Sequence, residues 1–249
     1  MFLKKGIVFI IFGIILIIVS VRPLFLIIQE MVLDHYINSR YELEEVIDIR
    51  NMRNQIATQT SYDLASPIKW RGNSIEVLTR DTGVDAPKSA YDKQTKHIMR
   101  VTIKVNGTEA SFPTEAWLPQ NIQKDSDYLS WLNILIIKDH KSDTEQMAIV
   151  QNLVDNQKVR NVSSQKWRIL YVNEDKSVSE EVFTYSERGD HLLGVKLILT
   201  SSESVSWIGY KSDIAYTLPS IFFPLFYPTG SFILGLVFVI IGFVRYKSK

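Results

Sequence analysis

Two uninterrupted apolar runs bracket this chain, and a mixed polar stretch of about 190 residues separates them. The first run, Gly6 to Val21 (GIVFIIFGIILIIVSV), holds sixteen apolar or small positions and no charge. The second, Ile221 to Val244 (IFFPLFYPTGSFILGLVFVIIGFV), contains no acid, base or amide. A helix crossing the hydrocarbon core needs about 20 mostly apolar residues, because roughly 30 Å must be covered at about 1.5 Å per residue. The second run meets that length. The first meets it when Arg22 snorkels toward the headgroups and Leu24 to Ile28 continue through the interface. Transmembrane helices are therefore expected over 6–28 and 219–244. A cleaved signal peptide fits the first run poorly: its apolar stretch exceeds the usual 7–15 residues or so, and Ser20-Val21-Arg22-Pro23 offers no A-x-A-like cleavage site.

Between the runs the pattern changes twice. From Leu24 to Ala65 there is no Gly or Pro, and a rough helical stripe (Leu33, Tyr36, Leu43, Val46, Ile47, Met52) extends the first helix toward Arg53, with a kink or restart at Arg22-Pro23. Val46 to Ile49 reads alternatively as a strand. After Pro67 the pattern is β. Ile68-Lys69-Trp70 and Ile75 to Leu78 flank a short hairpin turn, and Asp81 to Lys96 reads as a polar surface loop. Val101, Ile103 and Val105 alternate with polar residues before Asn106-Gly107, the preferred dipeptide of a type I′ hairpin. Tyr128 to Ile137 fits a buried strand or a buried helix. Ser142-Asp143-Thr144-Glu145 has the capping-box spacing, which predicts an amphipathic helix to about Asn156. Strands are expected at Trp167 to Tyr171, Val178 to Tyr185, Leu192 to Leu199 and Val205 to Tyr210. The fold class implied is a membrane protein with two transmembrane α-helices flanking an α+β domain, an antiparallel sheet with one or two helices, over 29–218.

Charge supplies an orientation. Lys4 and Lys5 precede the first span, Arg245, Lys247 and Lys249 follow the second, and neither tail (1–5, 245–249) carries an acid. The positive-inside rule places both termini in the cytoplasm and the central domain outside it, in a cell membrane. Of the 28 bases, these five lie in the tails; the remaining 23 face 27 acids, a net near −4. A mildly acidic domain gives no reason to expect nucleic acid as partner. The chain has no cysteine, which excludes thiol catalysis, finger-type zinc sites and cysteine-held clusters. The sequons at Asn106 and Asn161 matter only where the source glycosylates, and the turn already explains Asn106.

The two spans echo one another. Gly6-Ile-Val-Phe-Ile-Ile-Phe-Gly13 resembles Gly235-Leu-Val-Phe-Val-Ile-Ile-Gly242, with glycines seven apart in both. Seven residues are close to two helical turns, so each pair lies on one face. Counted from the cytoplasmic end, Gly6 matches Gly242 in depth and Gly13 matches Gly235. Small residues let helix backbones approach in lipid, so the spans are expected to pack antiparallel along these four glycines. Pro219, Pro224 and Pro228 crowd the outer end of the second span and place the start of its regular helix near Pro228.

No pattern of chemistry emerges from the rest. His35, His97, His140 and His191 are scattered without metal-ligand spacing. There is no nucleophile elbow and no phosphate loop. Asp139-His140-Lys141-Ser142-Asp143 is contiguous, whereas triads converge from separate segments. Glu44-Glu45 and Glu180-Glu181 read as solvated faces. Trp70, Trp117, Trp131, Trp167 and Trp207 read as core. No catalytic residue, metal or cofactor is expected. Tails of about five residues leave no room for a cytoplasmic output domain. The function implied is that of an accessory, scaffold or interaction protein, with the bilayer and a membrane or envelope protein, or a second copy, as partners. In architecture, the two spans, the α+β outer domain and the Pro cluster resemble the polysaccharide co-polymerases, which implies a role in envelope polymer length. An extracytoplasmic enzyme or ligand sensor is the third alternative.

Overall fold

The computed structural model describes residues 5–46, 66–87, 95–122, 128, 131–153, 165–201, 209–211 and 222–247. They fall into two compact units, one of Met1–His35 with Gly209–Lys249, the other Tyr36–Ile208.

In the first unit, helix α1 (Lys5–Arg40) runs through Pro23 without interruption, and a π-helical segment, Phe222–Gly230, leads into helix α3 (Ser231–Lys247). Gly6–Arg40, and Pro224–Lys247 made of most of the π-helical segment together with α3, are long and apolar enough to cross a membrane. They approach through small residues. A Cβ added at Gly13 would stand 2.6 Å from the Gly235 carbonyl oxygen, and one at Gly6 2.8 Å from that of Gly242. Ile10, Ile17 and Val239 fill the spaces between. Phe9 and Phe12 pack on Phe238 with ring centroids 5.7 and 5.5 Å apart. Ser20 and Ser231 join hydroxyls at 2.6 Å, and the Tyr227 hydroxyl donates to the Val19 carbonyl.

The second unit is built from two antiparallel sheets rather than the single sheet expected. The first has the order β1-β7-β8-β9-β10: β1 (Tyr41–Glu45), β7 (Leu132–Asp139), β8 (Thr144–Asn152), β9 (Lys166–Asn173) and β10 (Val178–Thr184). The second comprises β2 (Ile68–Trp70), β3 (Asn73–Asp85), β4 (Lys96–Val105) and β5 (Thr108–Glu109), with β6 (Thr114–Pro119) also on β4. The sheets meet face to face. Ile68, Ile75, Val101 and Ile103 of one share a single buried cluster with Ile134, Met147, Ile149 and Leu170 of the other.

Several expectations hold. Arg71 and Gly72 (φ 47° and 75°) turn β2 into β3, and Asn106 and Gly107 (φ 54° and 80°) turn β4 into β5. These are the positive-φ pairs that a type I′ hairpin requires. Trp70, Trp131 and Trp167 are buried.

Others are overturned, each by tertiary contact. Helix α1 stops at Arg40, because Tyr41 to Glu45 pair with β7, Leu43 opposite Ile137; the stretch onward to Arg53 lies outside the described residues. Thr144–Asn152 is a strand, not a capped helix. Asp143 adopts a left-handed turn conformation (φ 52°), the Ser142 hydroxyl bonds Thr144, and Met147 to Val150 are all buried, as in a central strand covered on both faces. Conversely Leu192–Ser201 is helix α2. Its buried positions Gly194, Leu197 and Ile198 follow the helical i, i+3, i+4 spacing, and a Cβ at Gly194 would meet the Phe183 ring at 2.9 Å. Of the proposed Asp81 to Lys96 loop, Asp81–Asp85 belong to β3 beyond an irregularity in its pairing, and Lys96 opens β4. The strand expected from Val205 lies mostly outside the described residues, as do Trp207, Pro219 and Asn161.

Two outcomes follow. Ile149→Ala, at the centre of β8, should cost about 2–5 kcal/mol, read from urea unfolding. In a Phe9→Cys, Phe238→Cys pair, a short bifunctional thiol linker should join the helices, and Gly13→Leu should abolish that product; an unchanged yield would refute the helix contact.

Candidate functional site

One face of the first sheet is covered at one end by helix α2; among the described residues its other end carries a cleft. At that end, where β7 and β9 finish and β1 and β8 begin, the cleft has a volume of about 300 Å³ and is lined by Tyr41, Ile137, Asp139, Thr144, Glu145, Gln146, Asn173 and Glu174. Strand register places the first of these. Tyr41 lies opposite Asp139, Asp139 opposite Thr144, Ile137 opposite Gln146, and Gln146 opposite Asn173, so their side chains share one face.

Two arginines offset two of the three carboxylate charges on its rim. Arg40, the last residue of α1, reaches Asp139 with Nη2 to Oδ2 at 2.8 Å and Nε to both oxygens at 3.3 Å. The backbone N–H of Lys141 adds a third donor at 2.9 Å. This guanidinium holds the Asp139 carboxyl well below the usual carboxylate range. Arg71 comes from the other sheet. Its Nη2 meets Glu145 Oε2 at 2.7 Å and its Nε lies 3.6 Å from Glu174 Oε1. An asparagine chain positions that turn: buried Asn73 donates to the Asn173 carbonyl and accepts from Asn106, whose own carbonyl oxygen caps the N–H of Ser74. Inside the cleft, the Gln146 amide and the Tyr41 hydroxyl form no hydrogen bond among the described residues, and Asn173 uses only Nδ2, toward Ser177. Burial raises the Tyr41 phenol above its ordinary value, so it remains a donor at neutral pH.

A second polar group sits further along the same face. Glu181 takes the Tyr171 hydroxyl at 2.8 Å on one oxygen and His191 Nδ1 on the other. The His191 ring stacks on Phe183 at 4.7 Å, and burial pushes the Tyr171 phenol far up. Glu181 is thus no solvated residue, contrary to the reading of Glu180-Glu181; its neighbours come from β9 and the start of α2. His97 lies between Asp81 and Asp85, Nδ1 at 3.0 Å from one and Nε2 at 3.5 Å from the other. The carboxylates flank opposite ring nitrogens and do not converge on one point. No three His, Asp or Glu side chains among the described residues are arranged to hold a metal ion.

On the inter-sheet face Arg168 is buried, with Nε on Gln151 at 2.9 Å and Nη1 on the Phe112 carbonyl at 2.8 Å. Burial pulls this guanidinium below its ordinary value, and Glu180 at 3.7 Å opposes the shift. The pairing holds the loop that leaves the Phe112 side chain exposed.

Of the residues singled out from sequence, the structure brings Gly6 beside Gly242 and Gly13 beside Gly235. Arg245 lies over the Phe9 ring at 4.9 Å. Lys5 begins α1 and Lys247 ends α3, while Lys4 and Lys249 lie outside the described residues. Sequence reasoning missed Ser20, although it continues the seven-residue spacing of Gly6 and Gly13. It also missed the cleft, whose members are distant in sequence. No protein-family model, curated protein or solved structure matches this chain.

The Arg40–Asp139 pair has a pH signature. A carboxyl held low in the folded chain contributes stability above its unfolded value, roughly 3.9, and loses it as pH falls through the folded value. Asp139→Asn should therefore melt below wild type at pH 7, and the gap in thermal midpoint should close as pH drops below about 4.

Proposed function

We propose that this chain is a two-pass membrane protein, with residues 6–28 and 219–244 crossing the bilayer, both termini cytoplasmic and residues 29–218 outside. In this reading it is an accessory or scaffold protein that works through its outer sandwich domain by binding, without catalysis of its own. The observation that carries the reading is what α1 and α3 do with their surfaces. Only 11% and 17% of their most apolar windows are buried, far less than a core helix of a water-soluble protein would require. Their small residues face one another, and Ile11, Ile15, Ile18, Phe25, Ile233, Leu236 and Ile240 point outward. A pair sealed on glycine and coated in large apolar side chains is suited to lipid. The five basic tail residues support the orientation.

Helix α1 has 36 residues, about 54 Å at about 1.5 Å each. That exceeds the roughly 30 Å hydrocarbon core, so its later turns carry the chain out of the bilayer and directly into β1. Partners in this reading are the bilayer and a membrane or envelope protein, or a second copy of the chain.

The cysteine-free chain makes the topology testable. Glu109→Cys, on exposed β5, should react with a membrane-impermeant maleimide in intact cells, whereas Lys247→Cys should react only after permeabilisation. The reverse pattern would overturn the orientation, and labelling of neither after permeabilisation would overturn the exposure of both sites. Purification in mild detergent should recover a stoichiometric partner or self-oligomer; a lone monomer would count against the scaffold role.

A further inference from the structure

We propose that the cleft between Tyr41, Gln146 and Asn173 binds a small neutral polyhydroxylated ring, one pyranose unit in size. The assignment goes beyond the anchoring and scaffold role, and rests only on the sandwich unit.

Size sets the first limit. Small-molecule sites run from about 300 to 1,000 Å³, and a cleft of about 300 Å³ admits a single ring. Charge sets the second. Of the three carboxylates in the lining, Asp139 is engaged by Arg40, and Glu145 and Glu174 by Arg71. Two guanidiniums against three carboxylates leave one net negative charge, which disfavours an anion, while a cation would have to displace a guanidinium already in place. A neutral ligand meets neither obstacle.

The unengaged groups set the chemistry. The Gln146 amide offers a carbonyl and an NH₂, Asn173 a free Oδ1, and Tyr41 a hydroxyl that both donates and accepts. These uncharged groups sit on neighbouring strands beside the Tyr41 ring, over which the Arg40 guanidinium lies at 4.9 Å. A pyranose matches both: its hydroxyls donate and accept, and its C–H face packs against the half-buried Tyr41 ring.

The test uses the full chain in lipid nanodiscs, free of sugar-based detergent, with saturation-transfer NMR and titration calorimetry. The probes are methyl glucopyranoside (neutral), glucosamine (cation) and glucuronate (anion). The neutral pyranoside should bind at millimolar concentration. Gln146→Leu should weaken it about tenfold, the equivalent of one net hydrogen bond. Tyr41→Phe, which removes one oxygen and leaves the ring in place, should also weaken it; this variant answers for any folding defect in Gln146→Leu. Three results would overturn the proposal: no binding of the neutral probe up to about 10 mM, binding of glucosamine or glucuronate in its place, or equal affinity in wild type and both variants. None of these bears on the membrane topology, which the cysteine labelling tests separately.

Discussion

Four consecutive side chains of β8, Met147 to Val150, are out of water, and alternation along a strand sends two to each face of the first sheet. Such a strand is stable only where both faces are covered. The second sheet covers one face, through Ile75, Val101 and Ile103. On the other face Val195, Leu197 and Ile198 of α2 are fully buried, and Gly194 allows close approach to Phe183 and Ile169. The order β1-β7-β8-β9-β10 puts β8 at the middle of its sheet, with hydrogen-bonded neighbours on both edges and apolar cover above and below.

That demand also explains where polarity is tolerated. Arg168 and Gln151 are buried together at the end of the shared core, joined to each other and to the Phe112 carbonyl. Asn73 is buried where the turns of the two sheets meet, and its bonds to Asn173 and Asn106 lock the β2–β3 turn in place. The Arg71 guanidinium is carried by that turn to Glu145 and Glu174. The same contacts that join the sheets thus offset part of the charge on one side of the cleft, and Arg40 pairs with Asp139 on the other. What stays unengaged between them is uncharged and able to hydrogen-bond in both directions.

The helices of the first unit follow a different packing rule, one that the proposed bilayer setting would account for. A pair that buries its small residues and exposes large apolar ones has no use in water, where the exposed area would drive association. In lipid, where backbone groups must be satisfied within the segment, the helical form is imposed and close packing supplies the attraction. The Ser20–Ser231 bond adds a polar contact at one level of an otherwise apolar seam. Proposed crossing and proposed binding therefore lie in separate units, each with its own packing rule.

By itself the sequence determined what depends on near neighbours or on unbroken composition. Two apolar runs without a charge pointed to helices of spanning length, the seven-residue glycine spacing marked one face of each, and Asn106-Gly107 between alternating segments marked a type I′ turn. Tertiary structure alone decided the rest. Ser142 to Glu145 has a capping-box spacing worth about 1 kcal/mol, and burial of Met147 to Val150 between two partners outweighed it. Leu192 to Leu199 reads as a strand, but packing of Gly194 against the Phe183 ring goes with a helix over Leu192–Ser201. The cleft escaped notice for the same reason: Tyr41, Gln146 and Asn173 are more than a hundred residues apart end to end, and only strand pairing, set by burial of the strands between them, makes them neighbours.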